Sequence, residues 1–278
     1  MENLLLRLKK LQIQMRMKSR IYIYLILILI LSGCGFTSGS YQDILKAQDY
    51  ISKREYKKAV KLYENILSRR PTKNIQIKIS YQLAEINSLY LNNYTEALSK
   101  YKKVISLTNE PLWQTKALEK MGMISFENLK DYSTAKYSYK KLKEFIPKLE
   151  KQSFYKLRYA LCFYHSEEYK KTLNLLKDFI VEDNSKYAVQ AYYYIGLVNF
   201  YEKKWDTAIS YWFEYLKREK QKSKIVQVKF LIANAYESSE KLKEAYNIYY
   251  SILGSYPNPK VIKNRLNSLY QRRVARKR

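Results

Sequence analysis

Residues 94–107, YTEALSKYKKVISL, recur in altered form 38 positions later as YSTAKYSYKKLKEF at residues 132–145. Both copies place a small residue, a bulky residue four positions on and an apolar residue three positions further: Ala97, Tyr101 and Val104, then Ala135, Tyr139 and Leu142. Positions i, i+4 and i+7 lie on one face of an α-helix. The two stretches are therefore predicted to be amphipathic helices of the same register.

The same pattern runs along the chain. An alanine-like position recurs at spacings of 38, 38, 37, 36 and 37 residues, at Ala59, Ala97, Ala135, Thr172, Ala208 and Ala245. Twelve or thirteen residues before each lies another small residue, at Ala47, Ala84, Gly122, Ala160, Gly196 and Ala233. Pro71, Pro147 and Pro257 follow three of the later helices, where a helix must stop. About six helical hairpins are expected.

These offsets of small, aromatic and proline residues resemble the tetratricopeptide repeat over residues 40 to 257. The period of 36 to 38 residues is longer than the family's 34, and the early tryptophan of the family is absent. The resemblance implies an all-α fold, a right-handed α-α superhelix of about six hairpins. Residues 41–257 are the expected repeat domain, and residues 258–278 the expected capping helix with a basic tail.

Composition supports helices and a basic surface. The 278 residues are 47% hydrophobic and include only 6 glycines and 5 prolines, so turn-forming residues are scarce. The formal charge is +27, and removing residues 1–33, which carry a net +5, leaves +22. Such a field attracts anionic lipid, cell-wall polymer, acidic protein or nucleic acid without distinguishing them.

The N-terminal region is predicted to be an export signal. Basic residues up to Arg20 precede the 11 apolar residues 21–31, too short a run for a membrane-spanning helix, which needs about 20. The following Leu31-Ser32-Gly33-Cys34 resembles the lipobox of bacterial lipoproteins. That resemblance implies a signal peptide over residues 1–33 and a lipidated Cys34. Residues 34–40 are an expected flexible tether.

The lipobox resemblance also implies a location. Gly35 rather than aspartate after the cysteine favours export to the outer membrane, facing the periplasm, if the organism has one. Met1, Met15 and Met17 are alternative starts. No nucleic-acid partner is expected for an exported chain.

Nothing in the sequence assembles a catalytic or metal site. The chain has one histidine, His165, and no spacing typical of a metal cluster or a phosphate-binding glycine loop. Cys162 is expected to be a small buried hydrophobic residue. The predicted protein is not an enzyme and carries no cofactor other than the lipid on Cys34.

The tetratricopeptide resemblance places a partner-binding groove on the first helix of each hairpin. Its register selects residues on hairpins four to six, among which aromatic and polar side chains are the predicted site: Tyr164, Tyr193, Leu197, Tyr201, Asn234 and Glu237. Phe154, Leu157, Leu161 and Phe200 occupy the same register and are equally compatible with core packing. The C-terminal basic tail, free in solution or in contact with lipid headgroups or an acidic partner, comprises Arg272, Arg273, Arg276, Lys277 and Arg278.

Three functional hypotheses remain open at this point. The first is a lipid-anchored scaffold for envelope assembly, similar to the tetratricopeptide lipoproteins of β-barrel assembly or type IV pilus assembly. The second is a cell-wall-associated adaptor that binds anionic polymer together with a division or energy-transducing complex. The third is a non-catalytic subunit of an envelope enzyme.

Overall fold

The computed structural model describes residues 35–182 and 185–276. Thirteen α-helices account for most of them: α1 (Gly35–Ser52), α2 (Tyr56–Ser68), α3 (Lys73–Leu89), α4 (Tyr94–Leu107), α5 (Pro111–Met123), α6 (Tyr132–Lys143), α7 (Gln152–His165), α8 (Tyr169–Glu182), α9 (Lys186–Tyr201), α10 (Trp205–Arg218), α11 (Lys222–Ser238), α12 (Leu242–Ile252) and α13 (Pro259–Ala275). A π-helical segment, Ile124–Asn128, continues α5. The described residues contain no strand.

The first twelve helices form six consecutive hairpins, and α13 packs against α12; in the third hairpin, α6 packs on the π-helical segment and on Gly122 of α5. The predicted all-α architecture of six hairpins and a C-terminal helix is confirmed. The chain divides into two compact units, one up to Ala117 and one from Leu118 onward.

The repeated small and bulky positions form the interface inside each hairpin. The six small residues on the second helices of the hairpins, Thr172 included, are fully buried. The bulky residues four positions after them are at most 2% exposed. The opposing helix carries glycine opposite Trp212, the largest of these partners, and also opposite Tyr139. A Cβ on Gly196 would lie 2.2 Å from Nε1 of Trp212, and one on Gly122 would lie 3.0 Å from the ring of Tyr139. Alanine is accommodated opposite Tyr63, Tyr101 and Tyr249, but it would overlap the ring of Trp212.

Each hairpin turn uses a non-glycine residue with positive φ. The six are Arg54, Asn92, Lys130, Glu167, Lys203 and Glu240, and they repeat with the same period as the helices. A left-handed residue after a helix lets the following amides bond back to the last carbonyls, as Lys204 N does to Asn199 O at 2.8 Å. Scarce glycine thus does not prevent tight turns.

The second and third hairpins contain one more residue between their paired small positions than the others do, 13 instead of 12. Both absorb it near the end of the first helix. Leu91 N bonds Ile86 O at 3.2 Å and Leu129 N bonds Ile124 O at 3.1 Å, which are i→i−5 bonds of the π type. The extra residue therefore leaves the packing register on the next helix unchanged.

At the N-terminal side, the structure differs from the expected tether. Helix α1 begins at Gly35, so residues 35–40 form its first turns. Once the helix is nucleated by packing further along, each added residue gains a hydrogen bond, which offsets the poor helix propensity of glycine and serine. Cys34 lies outside the described residues. None of the described helices is long and apolar enough to cross a membrane.

Candidate partner-binding face

The register predicted for the groove separates into buried and accessible residues on α7 and α9. Leu157 and Leu161 are 2% and 4% exposed and belong to the core. Phe154, Tyr164, Tyr193 and Leu197 are half-buried, and Tyr201 is 55% exposed. The face that α7 and α9 leave accessible is therefore mainly aromatic.

Tyrosines on this face contact one another across the hairpins. The ring of Tyr164 lies 5.1 Å from that of Tyr194, which in turn lies 5.2 Å from Tyr193. Tyr201 stacks on Tyr169 at 6.0 Å, and its hydroxyl is hydrogen-bonded to that of Tyr164. Burial, followed by the neighbouring Tyr201 hydroxyl, raises the pKa of Tyr164 above its ordinary value, at which the phenol is already protonated at neutral pH.

Sequence reasoning selected three of these tyrosines and missed Tyr169 and Tyr194. Tyr194 adjoins Tyr193 in a run of three tyrosines, 192–194, and such a run spreads rings over most of a helix circumference. That run could have indicated a wider aromatic surface than one register position. Tyr169 begins α8, and only the fold brings it to Tyr201.

A pocket of about 280 Å³ lies between α9 and α11, on the same face. Its wall comprises Gln190, Tyr193, Tyr194, Tyr215, Lys224, Gln227 and Val228. The Tyr215 hydroxyl donates to Oε2 of Glu219 at 2.8 Å. The remaining wall therefore offers aromatic surface, two amides and one ammonium group.

A second pocket, of about 310 Å³, lies where α5 and the π-helical segment meet α7. The Arg158 guanidinium bonds Oε1 of Glu127 at 2.7 Å and lies over the rings of Phe126 and Phe154. The Tyr155 hydroxyl donates to Oε1 of Glu119; burial and this contact raise the pKa of Tyr155. The two pockets differ in chemistry, because this one is walled by paired charges.

Asn234 and Glu237, on α11, both form hydrogen bonds with the hydroxyl of Tyr249. The Tyr249 hydroxyl lies 2.5 Å from Oδ1 of Asn234 and 3.2 Å from Oε2 of Glu237. Glu237, whose side chain is 14% exposed, also accepts from Arg272 at 3.2 Å. The structure thus groups these two predicted site residues with the C-terminal helix and not with the tyrosines of α7 and α9.

The predicted basic tail is partly structured. Helix α13 extends to Ala275, and Arg272 and Arg276 both pair with Glu240. Arg273 lies over the ring of Tyr246 at 5.8 Å. The ion pairs of Arg272 and Arg276 hold the last helix against α11 and the turn after it, while Lys277 and Arg278 lie outside the described residues.

His165 and Cys162 lie near this face. The His165 ring stacks on Tyr132 at 4.9 Å and meets the edge of Phe126; burial, with Lys130 and Arg158, lowers its pKa. Cys162 is buried, as expected, and burial raises the pKa of its thiol to about 12. Within the described residues, no group of three histidine, cysteine or acidic side chains could hold a metal ion.

Several solved structures have a similar fold. PilW, a widely conserved type IV pilus biogenesis factor, is 16% identical, with 83% of this chain and 98% of PilW covered and a TM-score of 0.51. MamA is 19% identical, with 64% of this chain and 90% of MamA covered and a TM-score of 0.52. The C-terminal part of a TPR repeat-containing protein from Cytophaga hutchinsonii is 16% identical, with 76% and 78% covered and a TM-score of 0.54.

No protein-family model matches the chain, and no curated protein matches it in sequence. The structural similarity and the six packed hairpins therefore establish the fold: the chain is a tetratricopeptide-like α-solenoid.

Proposed function

We propose that the protein is a lipid-anchored scaffold of the bacterial cell envelope that binds other proteins through the face of α7, α9 and α11. In this proposal it supports assembly of an outer-membrane or envelope complex and does not itself catalyse a reaction. The partner is a protein segment that lies across successive first helices.

The observation that carries the proposal is the accessible aromatic surface of α7 and α9. Tyr164, Tyr193 and Tyr201 are held by ring contacts, so little side-chain entropy is lost when a partner covers them. Tyrosine anchors beside amide groups, such as Gln190 and Gln227, provide both apolar contact area and hydrogen bonds to peptide groups.

The envelope location rests on the sequence. A basic stretch, a short apolar run and Cys34 within Leu31-Ser32-Gly33-Cys34 support export and lipidation. Several acyl chains on one cysteine give stable membrane attachment, whereas one chain alone gives only marginal binding. PilW, which has the same fold, is a type IV pilus biogenesis factor, and this agrees with an assembly role.

Crosslinking and pull-down from native membranes test the binding face. We expect Tyr193→Ala and Tyr201→Ala each to weaken partner capture, with about 2 kcal/mol lost at a buried anchor. Tyr137→Ala is the matched control, because Tyr137 is 48% exposed on α6, a second helix. If all three variants retain the wild-type partners, the assignment of the face is wrong.

Fractionation of a Cys34→Ser variant tests the anchor separately. Loss of the acyl chains is expected to move the protein out of the lipoprotein fraction, and mass spectrometry of the wild type should find acyl groups on Cys34. An unmodified Cys34 in membrane-bound wild type would contradict lipidation but leave the binding face untested.

The second candidate function is a cell-wall adaptor, favoured by the charge of +22 that remains without residues 1–33. Binding to an anionic polymer should collapse at high salt, because the Debye length falls from about 10 Å at 0.1 M to about 3 Å at 1 M. Binding through the tyrosine face should persist. Complete loss of all partners at high salt therefore favours the adaptor.

A further inference from the structure

The unit that ends at Ala117 contains a cavity that the binding face does not use. It has a volume of about 760 Å³, within the ~300–1,000 Å³ typical of small-molecule sites. Residues from α2, α3 and α4 and from the α2–α3 connection line it: Leu67, Arg70, Gln76, Ser80, Ser99, Lys100, Lys102, Lys103 and Ser106. We name it the basic cavity.

The wall of the basic cavity is cationic. Four of its nine lining residues are basic and none is acidic. Lys100 is neutralised by Glu96 at 2.8 Å and lies 3.9 Å from Glu64. Across the described parts of the chain, no ion pair involves Arg70, Lys102 or Lys103. Three unpaired, solvent-exposed cations therefore line one cavity, and an anion bound among them would gain attraction from all three.

The other polar groups of the wall suit a tetrahedral oxyanion. Ser80 and Ser99 contribute hydroxyls, and Arg70 contributes a planar fork of N–H donors that matches phosphate oxygens. The amide nitrogen of Gln76 donates to Pro71 O at 2.7 Å, which fixes the α2–α3 connection beside Arg70. We propose that the basic cavity binds a phosphate monoester or diester.

Its position suggests where such a phosphate comes from. Lys103 and Ser106 lie at the end of α4, at the edge where one hairpin connects to the next. Helix α1 starts at this same edge, because first helices begin where second helices end. If Cys34 is lipidated, as proposed above, the lipid is attached to the residue that precedes Gly35, the first residue of α1. A phospholipid headgroup is then one source of the phosphate, and a free phosphate ester is the other.

The chain contains a matched control. Lys140 and Lys141 of α6 stand five and six residues after Ala135, as Lys102 and Lys103 do after Ala97, and all four lysines are exposed. Neither Lys140 nor Lys141 lines the basic cavity. General attraction between a basic surface and an anion should affect both pairs alike, whereas a site should affect only the first.

Lysine acetylation followed by mass spectrometry tests the proposal on the full-length protein. Inorganic phosphate and glycerol phosphate are compared with chloride at equal ionic strength, and phosphatidylglycerol vesicles with phosphatidylcholine vesicles. At ten times the dissociation constant, acetylation of Lys102 and Lys103 should slow about tenfold while that of Lys140 and Lys141 is unchanged. Protection by the soluble anions identifies a free phosphate ligand; protection by phosphatidylglycerol alone identifies a lipid headgroup.

Equal protection of both pairs, or protection of neither, overturns the proposal. Variants give a second measurement: phosphate should raise the unfolding temperature of wild type and of Lys140→Gln/Lys141→Gln, but not of Lys102→Gln/Lys103→Gln. These results do not depend on the lipid anchor. A Cys34→Ser protein that still shows phosphate protection supports the site even if lipidation is disproved.

Discussion

Helices α9 and α11 hold the same place in successive hairpins but use equivalent positions differently. Phe200 of α9 packs edge-on against Trp205 at 4.9 Å, whereas its counterpart 37 residues on, Glu237 of α11, pairs with Arg272. The hairpin of α9 and α10 is followed by another hairpin, whereas the hairpin of α11 and α12 is followed by the arginine-bearing α13. A register position therefore predicts where a side chain lies, but its neighbour decides whether it serves packing, pairing or binding.

The largest expected effect comes from the glycine position of α9. Gly196→Ala should destabilise the protein by about 3 kcal/mol or more, since the new methyl overlaps the Trp212 ring and Trp212 is fully buried. The equivalent Gly122→Ala should cost about 1 kcal/mol, because its closest contact is 3.0 Å from a tyrosine ring. Denaturant unfolding measures both; equal losses would contradict the steric account.

On the α11 side, the ion pairs with α13 should matter less. Arg272→Ala is expected to cost about 1–2 kcal/mol, because Glu237 is largely buried but Arg272 is 36% exposed. Proteolysis should then release α13 first. Arg273→Ala, which leaves both glutamate pairs intact, is the control and should have little effect. Equal losses of stability and equal rates of α13 release in the two variants would show that the ion pairs do not hold α13 in place.

The turn after α9 offers a smaller change of opposite sign. Lys203 has φ of 59°, so Lys203→Gly should stabilise the protein by about 0.5–1 kcal/mol by removing left-handed strain. Lys204 has φ of −87°, and Lys204→Gly should give no gain because only flexibility is added. Thermal unfolding of both variants distinguishes local strain from a general tolerance for glycine.

The smallest expected effect is the pH response of His165. The pKa of His165 in the folded protein lies below the unfolded value of about 6.5. At pH values between these two pKa values, the unfolded chain therefore binds more protons than the folded protein does. The stabilising contribution is therefore complete above about pH 6.5 and is lost as pH falls through the folded pKa. His165→Phe keeps an aromatic ring on Tyr132 and should remove this dependence. An unchanged stability profile between pH 5 and 7 would show that another group titrates.

Much of the fold could be predicted because the same pattern of small and bulky packing residues recurs in six hairpins. Ala97, Tyr101 and Val104 can be recognised as core residues because their spacing places them on one helical face. The same spacing in the other hairpins supports this register. The turns were harder, because Asn92, Lys130 and Lys203 adopt positive φ without glycine to mark them. The tetratricopeptide-like architecture was thus predictable, but its turn geometry was not.

The sequence by itself determined the helices, their pairing and the residues buried inside each hairpin, because helical periodicity and side-chain size act locally. Only the tertiary structure decided which accessible residues meet. Tyr169 reaches Tyr201, Glu237 reaches Arg272, and Arg70 joins Lys102 and Lys103, each across a distance in the chain that no local pattern records. Those contacts depend on how successive hairpins stack, and stacking is set by the shapes of buried side chains between hairpins, such as Tyr215 of α10 in one core cluster with Val228 and Ile232 of α11.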